Sequence, residues 1–158
     1  MLGNRIVARC AQIAPTAILG DVPDQGLVVG DNANIGPSSF IGRSGYIEIG
    51  ARAPTGPRVN LRGENHSIEI ANVPIKSQGV TLQVIFVQDA CWLGVDGRVL
   101  AGVAVGDDTA AARDGVVTRG LRPYSPVDGV PARASRTSNL DEAIPSGAAG
   151  PALAAPLS

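Results

Sequence analysis

His66 is the only histidine in the 158-residue chain and is the side chain best suited to proton transfer. A free imidazole titrates near neutral pH, so it can take a proton from a hydroxyl group and hand it on. Glu64 and Glu69 are close enough along the chain to orient it, although either can equally be a solvent-facing charge. A lone histidine is more often structural than catalytic, so this residue alone defines no activity.

The two cysteines, Cys10 and Cys91, have neither the spacing of a metal site nor that of a disulfide framework. A zinc site rich in imidazole needs several histidines, and this chain has one. We therefore predict that the protein binds no metal.

The charge balance excludes several classes of partner. With 13 Lys and Arg against 14 Asp and Glu, the chain has no basic excess that would favour nucleic acid. No apolar stretch approaches the roughly 20 residues of a membrane span, and an N-terminus with Arg5 and Arg9 but no apolar run is not typical of a signal peptide. We predict a cytoplasmic protein without a membrane span.

Small aliphatic residues must form the core, because aromatic residues make up only 3% of the chain. An aliphatic residue recurs at every sixth position from Val87, and the step does not slip before Val117. The same step occurs upstream, interrupted by one two-residue insertion. These positions are Val29, Ile35, Ile41, Ile49, Thr55, Leu61, Val87, Leu93, Val99, Val105, Ala111 and Val117, with Ile13 and Leu19 in an earlier register.

A period of six fits neither an amphipathic helix nor a meander of hairpins. It fits a parallel β-helix, in which three six-residue units close a triangular coil around a narrow interior. Glycine, Asn and Asp next to the aliphatic residue, as in Gly30-Asp31-Asn32 and Gly106-Asp107-Asp108, suit the tight corners.

The periodic pattern also predicts the domain organisation. Residues 1–137 form one β-helical domain, with a large loop excursion at about 64–86 and a smaller interruption at 21–27. Interruptions of a solenoid map to surface loops, where function concentrates. Residues 138–158 are rich in Ser, Ala, Gly and Pro and are predicted to be a flexible tail.

Three phrases in the sequence carry a resemblance to a known family. They are Asp89-Ala90-Cys91-Trp92-Leu93-Gly94, Val116-Val117-Thr118, and the closing run from Pro123 to Arg133. Together with the six-residue register, they resemble the hexapeptide-repeat acyltransferases over residues 13–136. Within that superfamily, Asn65-His66, Pro74-Ile75 and Gln78-Gly79 are similar to the O-acetyltransferases that modify surface polysaccharides and their precursors.

The resemblance implies an all-β, left-handed parallel β-helix that assembles as a homotrimer with clefts between subunits. It implies acetyl-CoA as the acyl donor and a sugar or oligosaccharide as the acceptor. His66 would be the general base, taking the proton of the acceptor hydroxyl as its oxygen attacks the thioester.

The resemblance also implies roles for the other site residues. Acetyl-CoA would contact Trp92, Gly94, Arg113, Thr118, Arg133 and Arg136, with Trp92 near the thiol arm, Thr118 near the adenine and the last two arginines on phosphates. Asn34, Ser38 and Asn65 are candidates for acceptor binding. The ordinary alternatives are a corner-shielding tryptophan, solvated arginines and a strand threonine.

One turn departs from the family pattern. Ala112-Arg113-Asp114 stands where the family has a Gly-Ala-Gly turn beside the coenzyme arm. This departure favours a rival hypothesis, a binding or scaffold protein that kept the β-helix and lost efficient chemistry. N-acetylation of an amino sugar is a second alternative, since it would use the same base and cofactor. The β-helical carbonic anhydrases are excluded because their zinc requires three histidines.

Overall fold

We describe residues 5–20, 26–42 and 44–135 of a computed structural model. Arg136, the predicted tail and most of the 21–27 interruption lie outside the described residues. The described chain coils into a triangular prism, and each of its three faces is a parallel β-sheet. Within it, no helix is long and apolar enough to cross a membrane.

Each face stacks one short strand from each successive coil. Face 1 contains β1 (Arg5–Val7), β4 (Leu27–Val29), β7 (Ile47–Ile49), β11 (Ile85–Val87) and β14 (Ala104–Val105). Face 2 contains β2 (Gln12–Ile13), β5 (Asn34–Ile35), β12 (Trp92–Leu93), β15 (Ala110–Ala111) and β17 (Val127–Asp128), with bridges at Pro54 and Thr55 joining β5 to β12. Face 3 contains β3 (Ile18–Leu19), β6 (Phe40–Gly42), β8 (Asn60–Arg62), β13 (Arg98–Val99) and β16 (Val116–Val117).

The predicted six-residue positions form the core. Those from Val87 to Val117 are at most 1% exposed, and Val29, Ile35, Ile41, Ile49 and Leu61 are fully buried. A second buried position lies two residues before each of these. It holds apolar residues such as Leu27 and Ile47 but also Ser39, Cys91 and Thr109, so it is not visible as a hydrophobic repeat.

The polar residues at this second position have hydrogen-bond partners. The Ser39 hydroxyl accepts from the Val59 amide at 3.1 Å and donates to the Gly56 carbonyl at 3.2 Å. Thr109 Oγ1 donates to the Arg122 carbonyl at 2.9 Å. Because these bonds run to neighbouring coils, the hydroxyls can be buried without an unsatisfied polar group.

Cys91 belongs to this core. Its Sγ lies 2.9 Å from the Gly106 carbonyl oxygen, and burial raises the pKa of the thiol to about 11. Such a thiol carries little thiolate, so Cys91 is a packing residue rather than a nucleophile. No group of three His, Cys, Asp or Glu residues is arranged to hold a metal within the described ranges.

Most of the tight corners in the described residues are formed by residues other than glycine, although Gly102 has a φ of 81° at one of them. Asn32 and Asp108 have φ of 56° and 52°, the left-handed region that Asn and Asp tolerate better than most residues. The predicted corner role of these two side chains is confirmed. The glycines that follow the aliphatic residues serve a different purpose, because the next coil passes very close to them. A Cβ at Gly36, for example, would lie 2.4 Å from the Gly56 carbonyl oxygen.

The large excursion is a β-hairpin rather than an irregular loop. The chain leaves the prism at Gly63, and β9 (Glu64–His66) pairs antiparallel with β10 (Val80–Leu82) around a short 3₁₀ turn at Ile75–Ser77. Ile85 and Phe86, which we predicted to lie in the excursion, belong to β11 in the next coil. We call residues 63–84 the arm.

The last coil closes one end of the prism. Here β18 (Arg133–Ala134) turns back antiparallel to β17, and Ala132 is only 4% exposed. The Ala132 amide donates to the Val116 carbonyl at 2.8 Å. This segment therefore covers the apolar interior of the final coil.

Candidate active site

His66 lies on the arm, and the hairpin register determines which way it faces. The Gln83 amide donates to the Gly63 carbonyl at 2.8 Å, and the Ser67 amide donates to the Gly79 carbonyl at 3.1 Å. These bonds make His66 and Val80 a non-hydrogen-bonded pair, the kind in which facing side chains come closest. His66 therefore stands beside Val80 on one face of the hairpin.

Two of the four paired residues on this face of the hairpin are aliphatic. Leu82 pairs with Glu64 in the same register, so His66, Glu64, Val80 and Leu82 share what we call the apolar arm face. Val80 is 49% exposed and Leu82 is 44% exposed. The imidazole is also exposed, so a substrate or a second subunit can reach it.

Asn65 occupies the opposite face of the same strand. Side chains alternate along a strand, and Asn65 pairs with Thr81 rather than with the residues beside His66. The structure therefore does not bring these two predicted site residues together on one face of the arm.

Of the two carboxylates, Glu64 is the one that shares the His66 face. Its Oε1 lies 3.8 Å from Nη1 of Arg62, and the Arg62 guanidinium stacks 4.9 Å from the centre of the Phe40 ring. Glu69 lies beyond the end of β9 and is exposed. Sequence analysis missed Arg62 and Phe40, which lie diagonally on adjacent strands of face 3, where Phe40 pairs with Asn60 and Arg62 with Gly42.

The Gln-Gly phrase that contributed to the sequence resemblance holds the tip of the arm together. Gln78 Oε1 accepts from the Ile70 amide at 2.9 Å, and its Nε2 donates to the carbonyls of Ile70 at 3.0 Å and Val73 at 2.8 Å. Gly79 follows with a φ of 86°, which a residue with a Cβ rarely adopts. These two residues therefore have a structural role in the arm.

Trp92 and Asn34 lie on face 2, whereas the strand that leads into the arm lies on face 3. Trp92 is 50% exposed. Two coils away, Asn34 Nδ2 approaches the Gln12 side-chain oxygen at 3.5 Å. Ser38 sits at the corner between faces 2 and 3, where its amide donates to Thr16 Oγ1 at 3.1 Å.

Gly94 has a packing role that requires no ligand. A Cβ there would lie 2.5 Å from the Arg113 amide nitrogen in the next coil, so any larger residue would push the coils apart. Thr118 is exposed just after β16, and Arg133 is exposed in β18 opposite Asp128. The predicted coenzyme residues thus belong to different coils, while Arg136 lies outside the described residues.

The Ala112-Arg113-Asp114 turn, which differs from the family pattern, lies at the corner between faces 2 and 3. Charged residues of the neighbouring coils occupy the same corner. Arg58 Nε donates to Asp96 Oδ1 at 2.8 Å, and this bond holds the pKa of Asp96 below its usual value. The same hydrogen bond to Asp96 raises the pKa of the Arg58 guanidinium, and the charge of the Asp114 carboxylate adds a smaller contribution in the same direction. Arg113 beside it is exposed to solvent. The turn therefore places Asp114 near the Arg58–Asp96 ion pair.

Comparison with known proteins identifies the fold. No family model matches the chain. The hexapeptide-repeat acetyltransferase VCA0836 of Vibrio cholerae, solved in complex with acetyl-CoA, superimposes with a TM-score of 0.74 at 23% identity, over 85% of this chain and 71% of that one. The chain has the hexapeptide-repeat acetyltransferase fold. The prediction of a left-handed parallel β-helix is confirmed.

Other solved proteins with the hexapeptide-repeat acetyltransferase fold differ in chemistry. A maltose O-acetyltransferase from Clostridium difficile 630 gives a TM-score of 0.73 at 22% identity, over 85% of this chain and 69% of that one. AntD is an N-acyltransferase from Bacillus cereus, and a mutant form of it was solved with dTDP-4-amino-4,6-dideoxyglucose and coenzyme A. It gives a TM-score of 0.63 at 16% identity, over 89% of this chain and 85% of that one.

One curated protein matches in sequence. The probable acetyltransferase Rv3034c of Mycobacterium tuberculosis is 28% identical over 111 residues, which is 70% of this chain. The match spans 37% of the length of that relative.

Proposed function

We propose that the protein transfers the acetyl group of acetyl-CoA to a hydroxyl group of a sugar or polysaccharide precursor, with His66 as general base. The main support for this proposal is the position of the chain's only histidine, which lies on a hairpin that projects from a β-helix of the acetyltransferase type. The O-acetyltransferase among the similar structures supports a hydroxyl acceptor.

The proposed reaction is a direct transfer. A nitrogen of His66 takes the proton of the acceptor hydroxyl as that oxygen attacks the thioester carbonyl. When the carbon–sulfur bond breaks, the imidazolium returns the proton to the departing thiolate. No acyl-enzyme is required, and an exposed imidazole suits a reaction in which two substrates arrive from solvent.

We propose that the active form is a homotrimer in which Val80 and Leu82 of the apolar arm face pack against a neighbouring subunit, while His66 opens onto the cleft between the two subunits. Val80 and Leu82 are about half exposed beside His66, and burying the rest of these two side chains would stabilise such an interface. A neighbour could supply the face 2 residues, such as Trp92, that lie away from the arm within one chain. The cytosolic location and the absence of a nucleic-acid partner stay predictions from the sequence.

N-acetylation of an amino sugar is the alternative activity, and the structural likeness to the AntD complex favours it. An amine and a hydroxyl group both present a proton that His66 could accept. A binding protein without turnover is the third possibility, because Arg113 and Asp114 replace the small residues of the family turn.

An acceptor screen tests these functions. The protein is incubated with acetyl-CoA and a panel of neutral sugars, amino sugars and oligosaccharides, and thiol release is measured alongside coenzyme A binding by calorimetry. We expect turnover with a neutral sugar. Turnover restricted to amines would establish the N-acetyl alternative, binding without turnover would indicate a scaffold, and no coenzyme A binding would refute the proposal.

The coenzyme site gives a separate prediction. Replacing Arg133 and Arg136 together with alanine is expected to weaken coenzyme A binding by about tenfold or more, because hydrogen bonds to charged groups contribute about 1.5–3 kcal/mol. Arg52→Ala is the matched control, since Arg52 is exposed at the corner between faces 1 and 2 and lies 3.7 Å from Asp89. Calorimetry at two salt concentrations, with dephospho-coenzyme A for comparison, measures the effect. Unchanged affinity in the double variant would remove both arginines from the site.

A further inference from the structure

Gln83 lies where the arm rejoins the prism, and three glycines surround it. Its amide donates to the Gly63 carbonyl at 2.8 Å, and its own carbonyl points into the corner between faces 3 and 1. Gly45, Gly63 and Gly102 come from three successive coils at this corner. We call these three glycines the arm socket.

The socket fits so closely that it leaves no room for a Cβ at two of its positions. A Cβ at Gly45 would lie 2.3 Å from the Gln83 carbonyl oxygen and 2.7 Å from that of Gly63. A Cβ at Gly63 would lie 2.7 Å from the same Gln83 oxygen. Both neighbours are backbone atoms, so an added methyl group would have to move the base of the hairpin or separate the coils.

Further contacts hold the base of the arm on either side of the socket. At Gly102, which has a φ of 81°, the Gln83 side chain approaches the Cβ position to 3.1 Å. The Gly102 amide also donates to the Val84 carbonyl at 3.0 Å. On the outgoing strand, Arg62 stacks on Phe40 and pairs with Glu64.

We propose that the arm socket positions His66 for catalysis, so that Gly45 and Gly63 are positioning residues although they touch no substrate. This inference rests on the proposed function, because it assigns the glycines a role in the proton transfer that His66 performs. His66 lies three residues from Gly63 on a paired strand, so a shift at the base carries directly to the imidazole. Misplacing a reacting group by about 1 Å can cost roughly 100-fold in rate.

The test compares two alanine variants of similar steric severity. Gly45→Ala crowds the base of the arm. Gly30→Ala is the control, since a Cβ there would lie 2.6 Å from the Ala51 amide nitrogen at a different corner. We expect similar losses of Tm in both, a fall in kcat of about 10- to 100-fold in Gly45→Ala only, and a KM for acetyl-CoA within about twofold of wild type.

The outcomes separate the socket from the proposed function. If His66→Ala keeps wild-type turnover, the proposed base is wrong whatever the glycine variants do. If His66→Ala is inactive but Gly45→Ala retains kcat, or Gly30→Ala loses kcat to the same extent, then the socket proposal is overturned.

A measurement on the wild-type protein covers the case in which Gly45→Ala does not fold. Hydrogen exchange of the Gln83 amide is compared with that of the Gly50 amide, which donates to the Val87 carbonyl inside the prism at 2.7 Å. Similar protection supports a fixed arm base. Exchange of Gln83 at the rate of an unprotected amide would overturn the proposal.

Discussion

Replacing His66 with alanine is expected to lower kcat by about 10²- to 10⁴-fold, the usual contribution of a positioned general base. The fold should survive, because His66 is exposed on a hairpin outside the prism and no core contact depends on it.

The matched control for His66→Ala is Thr81→Ala, on the opposite face of the same hairpin. It should retain turnover within about threefold, as expected for a surface substitution away from reacting groups. Steady-state kinetics on the acceptor found by the screen measure both variants, and circular dichroism confirms their fold. Near wild-type turnover in His66→Ala would show that another group, or the substrate alone, moves the proton.

Leu82→Asp is expected to break the trimer and to lower turnover with it. Fully burying an exposed leucine side chain contributes about 1.5–3 kcal/mol. Because Leu82 is 44% exposed in the isolated chain, each of the three contacts would lose roughly half of that contribution. Burying a carboxylate in place of leucine adds a further penalty. Leu82 should tolerate the change in the isolated chain because it is already 44% exposed there.

Thr81→Asp places the same charge one residue away, on the other face of the arm. Light scattering at micromolar concentration should give a trimer for the wild type and Thr81→Asp and a monomer for Leu82→Asp. A wild-type monomer, or a Leu82→Asp trimer with full activity, would contradict the assembly we propose.

The prism was predictable because one buried position in every six is aliphatic, apart from Thr55. The second buried position was not, since Ser39 and Thr109 are buried through hydrogen bonds to other coils that no local pattern reveals. The hairpin was missed for a related reason. Glu64-Asn65-His66 has no alternation of apolar and polar residues, and it becomes a strand only because β10 pairs with it.

The site was only partly predictable. The proposed catalytic role of His66 follows from its being unique and from the family resemblance, but the direction of its side chain depends on a register that the Gly63–Gln83 bond determines. For Gly94, contact with coenzyme A stays a prediction, and the structure adds a packing role against the next coil that the sequence phrase did not reveal.

The strand that follows the arm resumes the parallel pairing between coils in the same register as the rest of the prism. Ile85 pairs with Ile47 and Val87 with Ile49, although each pair is 38 residues apart, against 18 for Val87 and Val105. A solenoid is stabilised by contacts between neighbouring coils, and the entropy of closing a loop rises only slowly with its length. Insertions, deletions and substitutions in the outer part of the arm would therefore change the free energy of unfolding only slightly. The sequence of the outer arm and the thermal stability of the prism would then be free to evolve independently in such a chain.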